Sequence, residues 1–256
     1  MNRRNHSTVV KPHPISVAFP ESPEELGHAG SPEQARTAIR RVLGTEAIHL
    51  GVGVDRIDYT KGILERFRAI ECFLEKYPAY LESLTFAQVG APSRTEIKRY
   101  QDLIAEVTAE ADRINQRFRT QRWKPILLFS THHGHREITR LYRAADFCLV
   151  TSLHDGMNLV AKEFVSSRDD DDGVLILSRF AGACCELHDA LLVNPYDIEQ
   201  LAEAIHTAIR MPIDERRSRM RHMRRTVREH NVYRWAADLV SDLTDVRPEV
   251  RELEAV

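Results

Sequence analysis

The sequence lacks the features that would mark a membrane protein, a disulfide-stapled protein or a nucleic-acid-binding protein. Only four of its 256 residues are cysteine, and the adjacent pair Cys184 and Cys185 lacks the CxxC spacing of redox and zinc sites. The formal net charge is −2, so no general attraction to nucleic acid or to an anionic membrane is expected. No apolar run approaches membrane-spanning length, and no secretory signal pattern follows the basic N-terminus. We therefore predict a cytoplasmic protein with free thiols.

Two common nucleotide-binding motifs are missing as well. The chain contains neither a GxxxxGK[ST] element nor a GxGxxG element, so neither a P-loop NTPase nor a dinucleotide site is indicated. What is present is ordinary for a globular protein, with 43% hydrophobic and 29% charged residues.

Short apolar segments alternate with amphipathic helical segments along most of the chain. The strands are predicted at residues 47–54, 84–89, 126–129, 147–151, 174–177 and 190–193. This alternation predicts an α/β fold, with a Rossmann-like parallel sheet covered by helices on both faces. Residues 1–30 are predicted to be a flexible lead, and residues 31–256 the folded domain. Ligands of such sheets bind at the carboxyl ends of the strands.

The segment 55–62 follows the first predicted strand of the sheet and carries two cations. Arg56 and Lys61 are five residues apart around a turn, so both can point into the crevice above the sheet. Arginine offers a planar fork to phosphate oxygens and lysine a compact charge, and a departing diphosphate needs such neutralisation. Gly62 lets the backbone approach closely. The plainer interpretation of these residues is a solvated basic turn.

The segment 151–163 leaves a later strand and enters a helix. The free N–H groups of the helix start at Asn158 form an anion site that the helix dipole strengthens. Asp155 can accept hydrogen bonds from sugar hydroxyls, and Glu163 could chelate a ribose diol. Lys162 is expected to be a surface charge. In the plainer interpretation Asp155 only caps the helix and Glu163 is solvated.

Three further features carry charge or metal-ligand chemistry. Arg94 follows another strand and could bind a second phosphate, although a surface role is favoured from the residue alone. His132, His133 and His135 invite a zinc interpretation, but their spacing is poor, and His133 is more simply a stacking partner for a base. The acidic run 169–172 is predicted to be an exposed, solvated turn, because a hard cation needs ligands that converge from several directions. No metal site is predicted.

At these residues the chain resembles the trehalose-6-phosphate synthases, a family of retaining GT-B glycosyltransferases. The resemblance covers about residues 14–243 and is carried by segments 55–62, 91–94, 155–163 and 193–197. It implies that the parallel sheet is the C-terminal, donor-binding domain of a GT-B enzyme.

The resemblance also implies a role for each matching residue. Arg56 and Lys61 would bind the nucleotide diphosphate and act in catalysis together with Asp155. Arg94 would bind the phosphate of the acceptor, and His133 would lie near the base. Residues 155–158 would contact the donor glucose and residues 159–163 the nucleotide. The full set of implied donor-binding residues is Arg56, Lys61, His133, Asp155, Gly156, Met157, Asn158, Leu159, Val160, Ala161, Lys162 and Glu163.

The family's reaction moves glucose from UDP-glucose to glucose 6-phosphate with retained configuration, by a mechanism that resembles front-side displacement and uses no metal or other cofactor. Family members are about twice as long and have an N-terminal domain that makes most acceptor contacts. The resemblance therefore implies a donor-binding half that works with a partner chain or self-associates. Two alternatives stay open: a transferase similar to glucosylglycerol-phosphate synthase, and a non-catalytic nucleotide-sugar binding or regulatory subunit.

Overall fold

The protein, described by a computed structural model at residues 2–3, 6–7, 10–20 and 31–245, is built on a parallel β-sheet. Its strands are β3 (His49–Arg56), β4 (Leu84–Ala91), β5 (Ile126–Phe129), β6 (Phe147–Val150), β7 (Val174–Ser178) and β8 (Leu191–Val193). They form a six-stranded sheet in the order β5-β4-β3-β6-β7-β8. A short antiparallel pair, β1 (Asn2–Arg3) and β2 (His6–Ser7), precedes them.

Helices cover both faces of this sheet. They are α1 (Pro32–Leu43), α2 (Ile63–Lys76), α3 (Lys98–Phe118), α4 (His135–Ala144), α5 (Leu159–Ser166), α6 (Ile198–Arg210), α7 (Ile213–Glu229) and α8 (Val232–Asp245). One core contains Phe73 of α2 and Ile205 of α6, and the other contains Tyr142 of α4, Phe164 of α5 and Met223 of α7. Strands β6 and β7 are buried along their whole length because both faces of the sheet are covered. The predicted α/β class with a parallel sheet is confirmed.

The order of the strands fixes where a crevice can form. After β3 the chain adds β4 and β5 on one side, and then places β6 on the other side of β3. Strands β3 and β6 approach closely at Gly51, where a Cβ atom would lie 2.4 Å from the ring of Phe147. Ligands of doubly wound sheets bind at such a switch point, outside the carboxyl ends of the two diverging strands.

Several predicted strand boundaries lie one or two residues away from the observed ones. Strand β3 continues to Arg56, paired with Ala91, whereas its end was expected at residue 54. Helix α3 begins only at Lys98 and does not include Arg94. The reason is local: Arg94 has a left-handed backbone with φ 50°, and Ile97 is extended with φ −99°.

Residues 10–20, part of the predicted lead 1–30, lie against the C-terminal helix. The indole N–H of Trp235 in α8 donates to the carbonyl of His13 at 3.1 Å. No strand forms within residues 10–20. Residues 21–30 fall outside the described part of the chain, and the boundary at residue 30 stays a prediction.

The acidic run 169–172 between α5 and β7 is ion-paired, so the expectation of an exposed, solvated turn is wrong. Three of the aspartates face an arginine of helix α4 or α7, and Asp170 faces the neighbouring Arg168. The pairs are Asp169–Arg143 (2.9 Å), Asp170–Arg168 (2.9 Å), Asp171–Arg224 (3.0 Å) and Asp172–Arg216 (2.7 Å). The run thereby ties helices α4 and α7 to the amino end of β7.

Candidate functional site

Three loop segments meet at the carboxyl edge of the sheet, and backbone hydrogen bonds join them. They follow β3, β6 and β7, at residues 58–62, 151–158 and 178–183. The amide of Leu153 donates to the carbonyl of Thr60 at 2.7 Å. The amide of Asp155 donates to the carbonyl of Phe180 at 3.0 Å, and the amide of Gly182 donates to the carbonyl of Asp155 at 3.0 Å. The edge is therefore pre-formed by main-chain contacts.

Gly62 lies where the first two segments approach each other closely. Its backbone is left-handed with φ 62°, a conformation that glycine adopts without strain. A Cβ atom at this position would lie 2.2 Å from the carbonyl oxygen of Thr151. Only glycine therefore allows the turn that carries Lys61 to reach the segment after β6.

Lys61 and Asp155 form an ion pair in the crevice. Lys61 Nζ lies 2.6 Å from Asp155 Oδ2, and the two side chains are 18% and 17% exposed. Partial burial acts against ionisation of Asp155, but the hydrogen bond and charge of Lys61 hold its pKa below the ordinary value. Arg56, at the end of β3, is exposed, and its guanidinium has no ion pair or hydrogen bond with another described side chain. The crevice thus presents Lys61, which is paired with Asp155, and Arg56, which is available to a ligand.

Asn158 caps helix α5, so the interpretation of Asp155 as the helix cap is wrong. The side-chain oxygen of Asn158 accepts from the amide of Ala161 at 3.1 Å, and its amide group donates to Asp155 Oδ2 at 3.1 Å. The backbone of Asn158 is strained, with φ 85° and ψ 92°. Such strain is kept where surrounding contacts fix the chain, and here it directs the first turn of α5 at the crevice.

The structure contradicts two plainer interpretations: that Glu163 is solvated and that Lys162 is a surface charge. Glu163 is half-buried, and the hydroxyl of Tyr142 lies 3.4 Å from its Oε2, so it is not a solvated residue. Burial raises the pKa of Glu163. Lys162 is not a surface charge: its side chain is 1% exposed, and Nζ lies 2.9 Å from Glu186 Oε1. Because this ammonium already has a carboxylate partner, the donor contact expected of Lys162 stays a prediction.

Arg94 and His133 lie at loops of the same edge. Arg94 Nη1 donates to the hydroxyl of Tyr100 at 2.7 Å, and that hydroxyl lies 3.1 Å from Asp58 Oδ2. The exposed Arg94 is thereby connected to the turn that carries Lys61. His133 packs edge-on against Phe129, with ring centroids 5.9 Å apart. The phosphate role of Arg94 and the base role of His133 stay predictions.

One buried residue beneath the site was missed by the sequence interpretation. Arg66 is 0% exposed and contacts Asp55, Gln88 and Thr151. The sequence did indicate that Arg66 is buried, because it lies three residues after Ile63, on the buried face of α2.

No described helix is both long and apolar enough to cross a membrane. Within the described residues, no group of three or more His, Cys, Asp or Glu side chains is arranged to hold a metal ion.

Strand order, cations and a helix start at the switch point together define an α/β protein with a cation-bearing crevice at the carboxyl edge of its sheet. The sequence model of Glycosyltransferase family 20 matches residues 1–245, and the chain belongs to this family. The resemblance seen in the motifs is thereby confirmed.

Relatives and solved structures agree with this placement. A trehalose-6-phosphate synthase of Sodalis glossinidius is 39% identical over 94% of this chain and 51% of its own length. That of Sinorhizobium fredii is 41% identical over 90% of this chain and 48% of its own length. An alpha,alpha-trehalose-phosphate synthase (UDP-forming) from Burkholderia xenovorans, in complex with glucose-6-phosphate, has a TM-score of 0.84 at 42% identity, covering 90% of this chain and 51% of that one.

A further structure, trehalose-6-phosphate from E. coli bound with UDP-2-fluoro glucose, has a TM-score of 0.82 at 36% identity and covers 89% of this chain and 51% of that one. The chain therefore spans about half the length of the relatives that it matches.

Proposed function

We propose that this chain is the donor-binding half of a retaining glycosyltransferase that forms trehalose 6-phosphate from UDP-glucose and glucose 6-phosphate. The observation that carries the proposal is the convergence of Arg56, the Lys61–Asp155 pair and the start of α5 at one switch point. Family membership supports it, as do the relatives bound with glucose-6-phosphate and with UDP-2-fluoro glucose.

In this proposal the crevice holds the donor by charge and hydrogen bonding. The diphosphate binds between Arg56 and Lys61, over the first turn of α5. Lys61 then divides its charge between the diphosphate and Asp155, and the carboxylate of Asp155 accepts hydrogen bonds from the donor glucose. Glu163 accepts from the ribose hydroxyls, and Arg94 binds the phosphate of the acceptor.

The proposed chemistry needs stabilisation of the leaving group more than a protein nucleophile. The bond between glucose C1 and the diphosphate oxygen breaks while a bond forms from C1 to the acceptor oxygen on the same face. The acceptor hydroxyl gives its proton to the departing diphosphate. Negative charge grows on that diphosphate, so Arg56 and Lys61 act most strongly in the transition state.

Turnover is expected to need a second lobe, because most acceptor contacts in the family come from an N-terminal domain. We propose that a partner chain, or another part of a longer protein, supplies it. A cytoplasmic location, with no resident metal, belongs to the same proposal.

The test is a calorimetric titration with UDP on the unmodified chain, Lys61→Ala and Lys124→Ala. Lys124 is an exposed cation at the opposite edge of the sheet, just before β5. We expect Lys61→Ala to weaken UDP binding about tenfold, or about 1.4 kcal/mol, because a charge-assisted contact is lost. Lys124→Ala should bind like the unmodified chain.

A second measurement asks about turnover. The chain is incubated with UDP-glucose and glucose 6-phosphate, and trehalose 6-phosphate is measured by mass spectrometry against the Lys61→Ala control. Product above that control would show that this half is catalytic alone. UDP binding without product would support a donor half that needs a second lobe. Equal UDP binding by Lys61→Ala and the unmodified chain would refute the site.

A further inference from the structure

A buried cation lies directly beneath the joint between the two main site segments. Arg66, on the first turns of α2, is 0% exposed. Its Nη1 donates to Asp55 Oδ2 at 2.7 Å and to Gln88 Oε1 at 2.6 Å. Its Nε donates to the hydroxyl of Thr151 at 3.0 Å. None of these contacts reaches the crevice, so Arg66 does not touch a ligand there.

Stability alone is a weak reason for this arrangement. Arg66 lies among buried apolar residues of the same helix, such as Ile63, Phe67 and Ile70. Removing a guanidinium and a carboxylate from water is costly, and well-packed apolar residues often serve a fold as well or better. Moreover, Arg66 Nη2 is buried with no hydrogen-bond partner within the described chain.

What the cluster does hold is the relative position of the two site segments. Thr151 accepts from Arg66, and its hydroxyl lies 2.9 Å from the carbonyl oxygen of Gly62, to which it donates. Through Thr151 the guanidinium is thus joined to the turn that ends in Lys61. The guanidinium also contacts Asp55, which directly precedes Arg56 in β3.

We propose that Arg66 is a positioning residue for the donor site, acting through Thr151 and Asp55. The cluster of Arg66, Asp55, Gln88 and Thr151 sets the spacing between the cation-bearing turn and the segment of Asp155. The effect on UDP affinity rests on the proposed function, whereas the effect on the geometry of the two segments does not.

Thr151→Val isolates this role, because it removes the hydroxyl and keeps the shape. The matched control is Thr85→Val. Thr85 is also 0% exposed, and its hydroxyl also makes two contacts, 2.8 Å from Thr45 Oγ1 and 3.3 Å from the carbonyl of Lys124. It lies near the amino end of β4, at the opposite edge of the sheet.

The first measurement is UDP affinity by calorimetry, with thermal unfolding recorded for each variant. We expect Thr151→Val to weaken UDP binding about tenfold, because two segments that share the diphosphate lose their common anchor. Thr85→Val should lower the unfolding temperature similarly and change the affinity less than twofold. Thr151→Ser keeps the hydroxyl and should bind UDP like the unmodified chain. Arg66→Lys keeps the positive charge and should keep part of the UDP affinity.

The second measurement is hydrogen exchange in the ligand-free chain, which separates this inference from the proposed function. Thr151→Val should speed exchange in residues 58–64 and 151–156, and Thr85→Val should not. If the unmodified chain failed to bind UDP, the proposed function would fall, and this exchange comparison would still decide the inference. If UDP bound normally and Thr151→Val behaved like Thr85→Val in both measurements, the positioning role would be refuted.

Discussion

Charged residues lie at both the amino edge and the carboxyl edge of the sheet, and they differ in how fully they are paired within the protein. At the amino edge, the four aspartates of the run 169–172 each face an arginine at 2.7–3.0 Å. At the carboxyl edge, Arg56 is exposed, and Lys61 shares a partly exposed pair with Asp155. The acidic run at the amino edge therefore has its charges matched within the protein, whereas the carboxyl edge keeps positive charge available to a ligand.

This difference distinguishes charges that stabilise the fold from charges that are available to bind a ligand. A buried ion pair that loses one member leaves an uncompensated charge, which is strongly destabilising. An exposed cation that is removed changes stability little but takes a contact from an anionic ligand. Variants of the acidic run should therefore change stability without affinity, and variants at the carboxyl edge should change affinity.

The largest effect on stability is expected for Asp172→Ala. Asp172 Oδ1 and Oδ2 lie 2.7 and 3.2 Å from Arg216, and Oδ2 lies 3.4 Å from Arg36. Arg216 therefore loses its carboxylate partner, and Arg36 keeps only Asp146, at 3.6 Å. We expect a loss of about 3 kcal/mol in the free energy of unfolding by urea, with unchanged UDP affinity. Asp189→Ala, which removes a longer 3.5 Å contact to His222, should change stability by less than about 0.5 kcal/mol.

The loss in Asp172→Ala should also depend on pH. Burial acts against ionisation of Asp172, but the hydrogen bonds from Arg216 and the amide of Gly173, together with the charges of Arg216 and Arg168, hold the pKa below the ordinary value of 3.8. A depressed pKa gives stability that is present above 3.8 and lost as pH falls through the folded-state value. The gap between Asp172→Ala and the unmodified chain should narrow in acid, and a gap that stayed constant would contradict this assignment.

The next largest effect is expected for Gly62→Ala at the carboxyl edge. A Cβ atom there would both occupy a left-handed backbone and lie 2.2 Å from Thr151 O. Gly44, the C-cap of α1, has a similar φ of 64° but nothing within 4 Å of its Cβ position. Thermal unfolding should show a loss of about 1 kcal/mol for Gly44→Ala and about 2 kcal/mol or more for Gly62→Ala.

UDP titration of these two glycine variants sharpens the comparison. Only Gly62→Ala should weaken binding, because the clash moves the turn that carries Lys61. Similar affinities for Gly62→Ala and Gly44→Ala would show that this turn does not set the donor site.

The smallest effect on stability is expected for Glu163→Gln. Burial raises the pKa of Glu163, so its stabilising contribution is full below the ordinary value of 4.5 and is lost as pH rises through the folded-state pKa. Glu163→Gln should therefore raise the free energy of unfolding slightly at neutral pH, by less than about 1 kcal/mol. In acid it should not change the free energy of unfolding. The exposed control Glu106→Gln should show neither change. Glu163→Gln should also weaken UDP binding, and a gain in both properties would argue against a ribose contact.

The sequence was sufficient to place the crevice because its signals are local. Apolar strands followed by charged turns predicted where Arg56, Lys61 and Asp155 would lie, and parallel strands bring such turns to one edge. The family resemblance supplied roles that local chemistry left open, as for Arg94.

The remaining features depend on partners that are distant in the chain. Lys162 is expected at the surface from its helix alone, but Glu186 and the carbonyl of Ile15 lie within 3.1 Å of its Nζ. Asp169, Asp171 and Asp172 meet arginines of helices α4 and α7, and the sequence around the run does not indicate these three pairs. Arg66 is the intermediate case, because its place on an apolar helix face was visible but its partners were not.

The strand order also has a consequence for how the molecule acquires its site. Residues 49–129 contain β3, β4 and β5, so this half of the sheet assembles from contacts close in sequence. The Lys61–Asp155 contact spans 94 positions and exists only once β6 has docked beside β3. Long-range pairing is the slow part of folding, because loop closure must precede the contacts that reward it. Competence to bind a ligand is therefore expected at the end of the folding reaction, and a bound ligand would oppose the first step of unfolding.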